Sequence, residues 1–243
     1  MTTTKPNGRL CNQIIRNLCT SIIAEKQNLF VTYSSYDRIT LLLGIPLFIG
    51  TQKYDNTIML TDDNFFDILH STPILQSNLN PNDNYFQTKT ISNYLYNYLH
   101  QEQIKQKIID MNPYKERYMN NNDCFIHIRL TDCERHNPGL QYYLKVLEQI
   151  TFDKLYIASD DINHSIIKSI AKKYEANVLV LNCDEIKTIQ FGSTNKHIIL
   201  SHGSYSAMIG YLAFYSEIYY SKYDEKNIWY GDMFSIPGWK QIE

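Results

Sequence analysis

No stretch of this chain is long and apolar enough to cross a membrane. Its most hydrophobic run, Ile39 to Ile49, is interrupted by Pro46 and falls far short of the ~20 residues a spanning helix needs. The opening Met1-Thr-Thr-Thr-Lys5 lacks the hydrophobic core of a secretory signal. A cytoplasmic location without a membrane anchor is therefore expected. No CxxC pair occurs among the five cysteines, at 11, 19, 124, 133 and 183. That argues against a zinc ribbon and for buried free thiols in a reducing compartment. No excess of one charge exists either: 23 Lys and Arg face 25 Asp and Glu, for a net charge of -2. Without a basic block the chain lacks the footprint of a nucleic-acid or anionic-membrane binder. Internal repeats and low-complexity tails are also missing.

What remains is an ordinary globular composition, 44% hydrophobic and 20% charged over 243 residues, enough for one large domain or two compact ones. Apolar residues at helical spacing (Ile14, Ile15, Leu18, Cys19, Ile22, Ile23) predict a helix over 12–26, followed by a strand over 29–33. A helix over 37–43 and a short strand over 46–49 come next. The Asn- and Pro-rich segment 71–84 reads as loop, and one helix is expected from 90 to 111. The polar stretch 112–123 marks a domain boundary, giving halves 1–120 and 121–243.

Beyond it, strands at 124–129, 154–159, 177–181, 197–201 and 217–220 are expected to alternate with helices at 139–150, 162–174 and 204–214. Such alternation implies a parallel sheet with helical crossovers, an α/β fold.

In an open parallel sheet, ligands bind beyond the carboxyl ends of the strands. Three strands here run directly into polar clusters: His127-Ile-Arg129, Ser159-Asp160-Asp161, and Ser201-His-Gly203-Ser204. Period-two alternation places His127 and Arg129 on one side of their strand. Arg offers a permanently charged planar fork that fits phosphate oxygens. The segment Ser201 to Ser206 opens a helix whose free N–H groups favour an anion, with Gly203 permitting close backbone approach and Ser204 suited to cap the helix or bind phosphate. Asp160 and Asp161 suit the donors of a guanine ring or ribose hydroxyls. Each residue also has a structural alternative: Arg129 in an ion pair with Asp132 or Asp160, His127 as a satisfied buried histidine, an Asp or Ser204 as a helix cap. The coincidence of three clusters favours a nucleotide-diphosphate site centred on Arg129. His164, His197 and His202 form no metal constellation in the sequence.

At these residues the chain resembles the α1,2-fucosyltransferase family and its α1,6- and protein O-fucosyltransferase relatives. The resemblance is carried, in order, by Gly8-Arg-Leu-Cys-Asn-Gln13, His127-Ile-Arg-Leu-Thr-Asp132, Ser159-Asp-Asp161 and Ser201-His-Gly-Ser-Tyr-Ser206. Gln141-Tyr-Tyr-Leu-Lys145, Trp229-Tyr-Gly-Asp232 and Pro237-Gly-Trp239 add to it. Cys11 stands where that family usually has glycine, and Ala207-Met208 where close bacterial members have a tryptophan pair.

The resemblance implies a GT-B-like arrangement of two Rossmann-like halves with a cleft between them, residues 1–120 facing the acceptor and 121–243 holding the nucleotide sugar. It implies metal-independent, inverting transfer of L-fucose from GDP-fucose to a glycan hydroxyl, with an α1,2-type linkage favoured and no cofactor. On this reading Arg129 and His127 are the catalytic pair, Arg129 neutralising the β-phosphate. Ser204, Tyr205 and Ser206 supply donors to the diphosphate. Asp160 or Asp161, with His127, hold the nucleoside, and Gly8, Arg9 and Asn12 close over the phosphates. Asp132, Ser159, Ser201 and Gly203 complete the nucleotide-sugar set. A nucleotide-sugar- or carbohydrate-binding module without transfer, a transferase using another nucleotide sugar, and a Rossmann-like interaction protein are the alternatives.

Overall fold

A computed structural model describes residues 1–222 and 231–243, and of Cys133 and Ala176 the backbone alone. Trp229 and Tyr230 of the closing segment lie outside the described residues. In the first half, β1 (Thr2–Thr3) leads through Gly8 into the long helix α1 (Leu10–Gln27), and β2 (Val31–Thr32) returns parallel to β1. β3 (Thr57–Met59) and β4 (Asn78–Asn80) form a second parallel pair, separated in sequence by the short helix α2 (Phe65–Leu69). The two pairs are joined where the Thr2 hydroxyl accepts the Leu79 amide at 2.9 Å. α1 is buried on almost every face, because strands, α2 and later helices surround it.

Several local expectations are corrected here. The helix over 37–43 is a five-residue π-helix, Arg38–Leu42. Residues 46–49 form no strand: the Phe48 amide donates to Ser21 Oγ and its carbonyl accepts from Tyr33 Oη, each at 2.7 Å. Side chains here satisfy the backbone that a ladder would otherwise pair. Within the expected loop 71–84 lies β4, held by asparagine amides: Asn78 donates to the carbonyls of Tyr54 and Asn56, and Asn82 to that of Thr3. The helix over 90–111 is two, α3 (Lys89–Leu99) and α4 (Glu102–Met111), because Gln101 is extended at φ -61°, ψ 135°.

The second half is a six-stranded, wholly parallel sheet. Its strands and helices follow in chain order as β5 (Cys124–Ile128), α5 (Leu140–Leu147), β6 (Leu155–Ser159), α6 (Ser165–Lys173), β7 (Val178–Val180), α7 (Glu185–Gly192), β8 (His197–Leu200), α8 (Ser204–Tyr211), β9 (Glu217–Ser221) and β10 (Lys240–Ile242). The spatial order is β10-β9-β8-β5-β6-β7. This is the doubly wound arrangement, in which the chain reverses its direction of growth between β5 and β8.

Alternation along the strands assigns two faces. Cys124, Ile126, Ile128, Leu155 and Ile157 pack beneath α5 and α6. Phe125, Tyr156, Ile198 and Leu200 pack beneath α7 and α8, in a core continuous with α1 and α3. The first half therefore closes over one face of the second half's sheet and shares its apolar core. α7 escapes the sequence pattern because its buried residues mix Ile186 and Ile189 with Thr188, Gln190 and Gly192, although Asp184 caps it by accepting the Lys187 amide at 2.9 Å. Cys11, Cys19 and Cys124 are buried free thiols, whereas Cys183 is exposed. Among the described residues no helix is long and apolar enough to cross a membrane.

Candidate functional site

A cleft of about 780 Å³ lies over the carboxyl ends of β5 and β8, at the point where the sheet reverses, and the loop before α1 covers it. Gly8, Arg9, Asn12, His127, Arg129, Asp132, Ser159, Asp160, Gly203, Ser204 and Tyr205 all line it. Three other residues singled out in the sequence do not. Asp161 accepts the Asn163 amide at 3.0 Å and shapes the turn before α6. Ser201 is buried and its hydroxyl accepts the Arg129 amide at 3.2 Å. Ser206 is fully buried, 2.5 Å from His127 Nδ1. Ser201 and Ser206 are thus buried supports for the strand end and His127.

Arg129 leaves the end of β5 with its side chain only 14% exposed. Its Nε donates to Asp132 Oδ1 at 2.9 Å and stands 3.2 Å from Asp160 Oδ2, and Nη2 also reaches Asp132. The other Asp132 oxygen meets Arg9 Nη2 at 3.0 Å. One carboxylate thus joins a guanidinium from each half across the cleft. Asp160 accepts the Leu130 amide at 2.8 Å and the Thr131 hydroxyl at 2.6 Å. Burial raises its pKa, but the Thr131 and Leu130 hydrogen bonds and the Arg129 charge outweigh that, and the carboxyl is held below the usual value. Its role is first of all to fix the turn that aims Arg129.

Beside them His127 is buried and its ring lies 4.9 Å from that of Tyr205. Burial, reinforced by the charge of Arg129, pushes its pKa down to about 3. It is a neutral imidazole at neutral pH, so it contributes shape and a hydrogen bond to Ser206 but no positive charge.

The hydroxyls expected to face a phosphate are engaged elsewhere. Ser204 donates to Asn12 Oδ1 at 2.6 Å, and Tyr205 donates to the Glu185 carbonyl at 2.7 Å. Ser204 is not the helix cap: Gly203 is, at φ 93°, a left-handed conformation that favours glycine. A Cβ there would meet nothing within 4 Å, so the cleft side of this turn is open backbone. Asn12 also accepts from Gln87 Nε2 at 2.9 Å and so fastens α1 to α8. Gly8, at φ 77°, cannot carry a side chain, because a Cβ would lie 2.7 Å from Asn12 Nδ2.

Two helix N-termini therefore meet at the cleft, α1 behind Arg9 and α8 behind Gly203, and neither has a side-chain cap among the described residues. Each presents unpaired N–H groups and roughly half a positive charge. With Arg9 and Arg129 they make a corner of positive potential. Arg16, 1% exposed, holds one wall of it by donating to the carbonyls of Lys5, Asn7 and Asn84. In sequence Arg16 passes for an ordinary helix residue, flanked by Ile15 and Asn17, and no pattern marks it as buried. Gln87, Glu185, Thr188, Arg135, His136 and Lys222 also line the cleft. Of these Lys222 alone follows an expected strand, just beyond 217–220, and topology had no means of pointing to the others.

Among the described residues no group of three or more His, Cys, Asp or Glu is arranged to hold a metal. In comparisons with known proteins, no family model and no curated protein matches this chain.

Proposed function

We propose that this protein is a glycosyltransferase that binds a nucleoside-diphosphate sugar, with GDP-fucose the favoured donor and a glycan hydroxyl the acceptor. The observation that carries the reading is the convergence of two uncapped helix N-termini with Arg9 and Arg129 at the reversal point of a doubly wound parallel sheet. That combination suits a diphosphate, and the cleft volume of about 780 Å³ falls in the range of small-molecule sites. The ordered motifs around Gly8, His127, Ser159 and Ser201 support the fucosyltransferase likeness. The parallel pairs β1–β2 and β3–β4 suit a reduced Rossmann-like first half in a GT-B-like arrangement.

In the reaction the acceptor oxygen bonds to the anomeric carbon from the face opposite the diphosphate. The carbon–phosphate-oxygen bond breaks with its electron pair going to the diphosphate, the acceptor's proton passes to water or to an oxygen of the departing diphosphate, and the anomeric configuration inverts. The four carboxylates lining the cleft, Asp132, Asp160, Glu185 and Glu243, are all ion-paired. Stabilisation of the departing diphosphate by preorganised positive groups is accordingly the catalytic contribution this site favours.

The test is a thermal-shift screen of GDP-, UDP- and dTDP-sugars, followed by mass-spectrometric detection of transfer to oligosaccharides. Stabilisation by GDP-fucose with a mass gain of one deoxyhexose is expected. Stabilisation only by another nucleotide sugar would reassign the donor, and binding with neither transfer nor hydrolysis would favour a binding module. No response to any nucleotide would refute the reading.

A further inference from the structure

The position of Asp132 is unusual for a residue that only orients an arginine. Its two oxygens are divided between Arg129, just beyond the end of β5 in the second half, and Arg9, on the loop before α1 of the first half. The Arg129 side chain is mostly covered, whereas those of Arg9 and Asp132 are 64% and 44% exposed. Asp132 lies on a short 3-10 turn over 131–136, so the carboxylate is delivered by a loop and not by the rigid sheet. A carboxylate and one face of a phosphate make the same demand on guanidinium groups, two oxygens accepting parallel N–H bonds. The place that Asp132 fills is also the corner onto which the uncapped N-termini of α1 and α8 open.

We infer that Asp132 is an internal stand-in for the phosphate: it holds Arg9 and Arg129 together before a ligand binds, and a diphosphate displaces it from between them. The inference rests on the diphosphate reading of the cleft. It goes further in assigning a competitive role to a conspicuous acid of the site. These ion pairs keep both guanidiniums preorganised and charge-neutralised. An incoming dianion exchanges one anionic partner for another, so binding is weaker than the bare site would allow, and release is correspondingly easier. Asp160, which is held by Leu130, Thr131 and Arg129, stays in place to aim Arg129 after the exchange.

The experiment is calorimetric titration of inorganic pyrophosphate and of GDP into the full chain, its Asp132→Asn variant and its Arg9→Gln variant, with circular dichroism and melting confirming the fold of each. Removing one carboxylate that competes through two partly exposed ion pairs should tighten pyrophosphate binding about three- to tenfold in Asp132→Asn. Arg9→Gln should weaken it. A merely structural Asp132 would give the opposite sign, because its loss would disorder Arg129 and weaken binding. If the wild-type protein binds and a folded Asp132→Asn binds equally or less tightly, the displacement idea is overturned while the diphosphate site stands. If neither pyrophosphate nor GDP binds the wild-type protein, the site reading itself fails and this inference falls with it. Should Asp132→Asn not fold, Asp132→Ser supplies the same comparison.

Discussion

Lowering the pH should destabilise this protein well before its carboxylates titrate, and His127 supplies much of the reason. The residue is 4% exposed, and burial followed by the Arg129 charge lowers its pKa to about 3, against about 6.5 in an unfolded chain. The folded value lies below the unfolded one, so as pH falls the unfolded chain binds the proton first. The contribution is fully present above about pH 6.5 and is lost progressively between pH 6.5 and 3. At pH 5 the unfolded imidazole gains about 1.5 log units of proton binding that the folded one does not, or about 2 kcal/mol. His202, whose pKa burial and nearby His136 push down to about 4, adds a similar amount, about 2 kcal/mol. Together they remove about 4 kcal/mol between pH 7.5 and 5, a large share of a typical stability of 5–15 kcal/mol. For a chain of this size that corresponds to a fall in Tm of roughly 8 to 16 °C. Urea unfolding at both pH values measures it. In His127→Gln the difference between pH 7.5 and 5 should shrink by about 2 kcal/mol, whatever the variant's absolute stability. An unchanged pH dependence in a folded His127→Gln, or an NMR titration placing the His127 pKa near 6.5, would refute the burial argument.

Other consequences follow from the same geometry. Arg129→Ala forfeits a forked, charge-assisted contact worth about 3–6 kcal/mol for two hydrogen bonds, and kcat/KM for sugar transfer should drop on the order of 10² to 10⁴-fold; Arg129→Lys, which keeps the charge and loses the fork, should fall in between, and near-normal transfer by a folded Arg129→Ala would contradict the assignment. Asn12→Ala and Ser204→Ala remove opposite ends of the 2.6 Å bond between the halves. Urea unfolding should find them coupled by about 1 kcal/mol in a double-mutant cycle, with simple additivity counting against the link. Gly210→Ala would put a Cβ 2.4 Å from Trp239 Cη2 and 3.0 Å from Leu200 Cδ1, and a destabilisation of about 1–3 kcal/mol by chemical denaturation is expected.

The sequence by itself determined the parallel α/β plan of the second half, though it showed neither α7 nor β10. Long apolar strands alternating with helices leave few topologies other than a doubly wound parallel sheet, since right-handed crossovers and burial on both faces constrain the rest. It also located the cleft, because residues at the carboxyl ends of β5, β6 and β8 must converge wherever such a sheet reverses. Less was legible in the first half, where side-chain amides replace ladder hydrogen bonds around residues 46–49 and 78–84, and no periodicity records that exchange.

Only the tertiary structure decided how the site residues are used. Ser204, Tyr205 and Ser206 have the right chemistry for phosphate, but each hydroxyl is engaged by a residue distant in sequence: Asn12, Glu185 or His127. That left the backbone amides of the two helix N-termini, with Arg9 and Arg129, as the donors at the corner where those helices meet. The burial of Arg16 and the bridging of Arg9 to Asp132 likewise depend on the first half closing over the second. Hydrophobic pattern is a local property that survives in one dimension. The partner of a polar group is a property of three-dimensional proximity, and it is set only when the chain has folded.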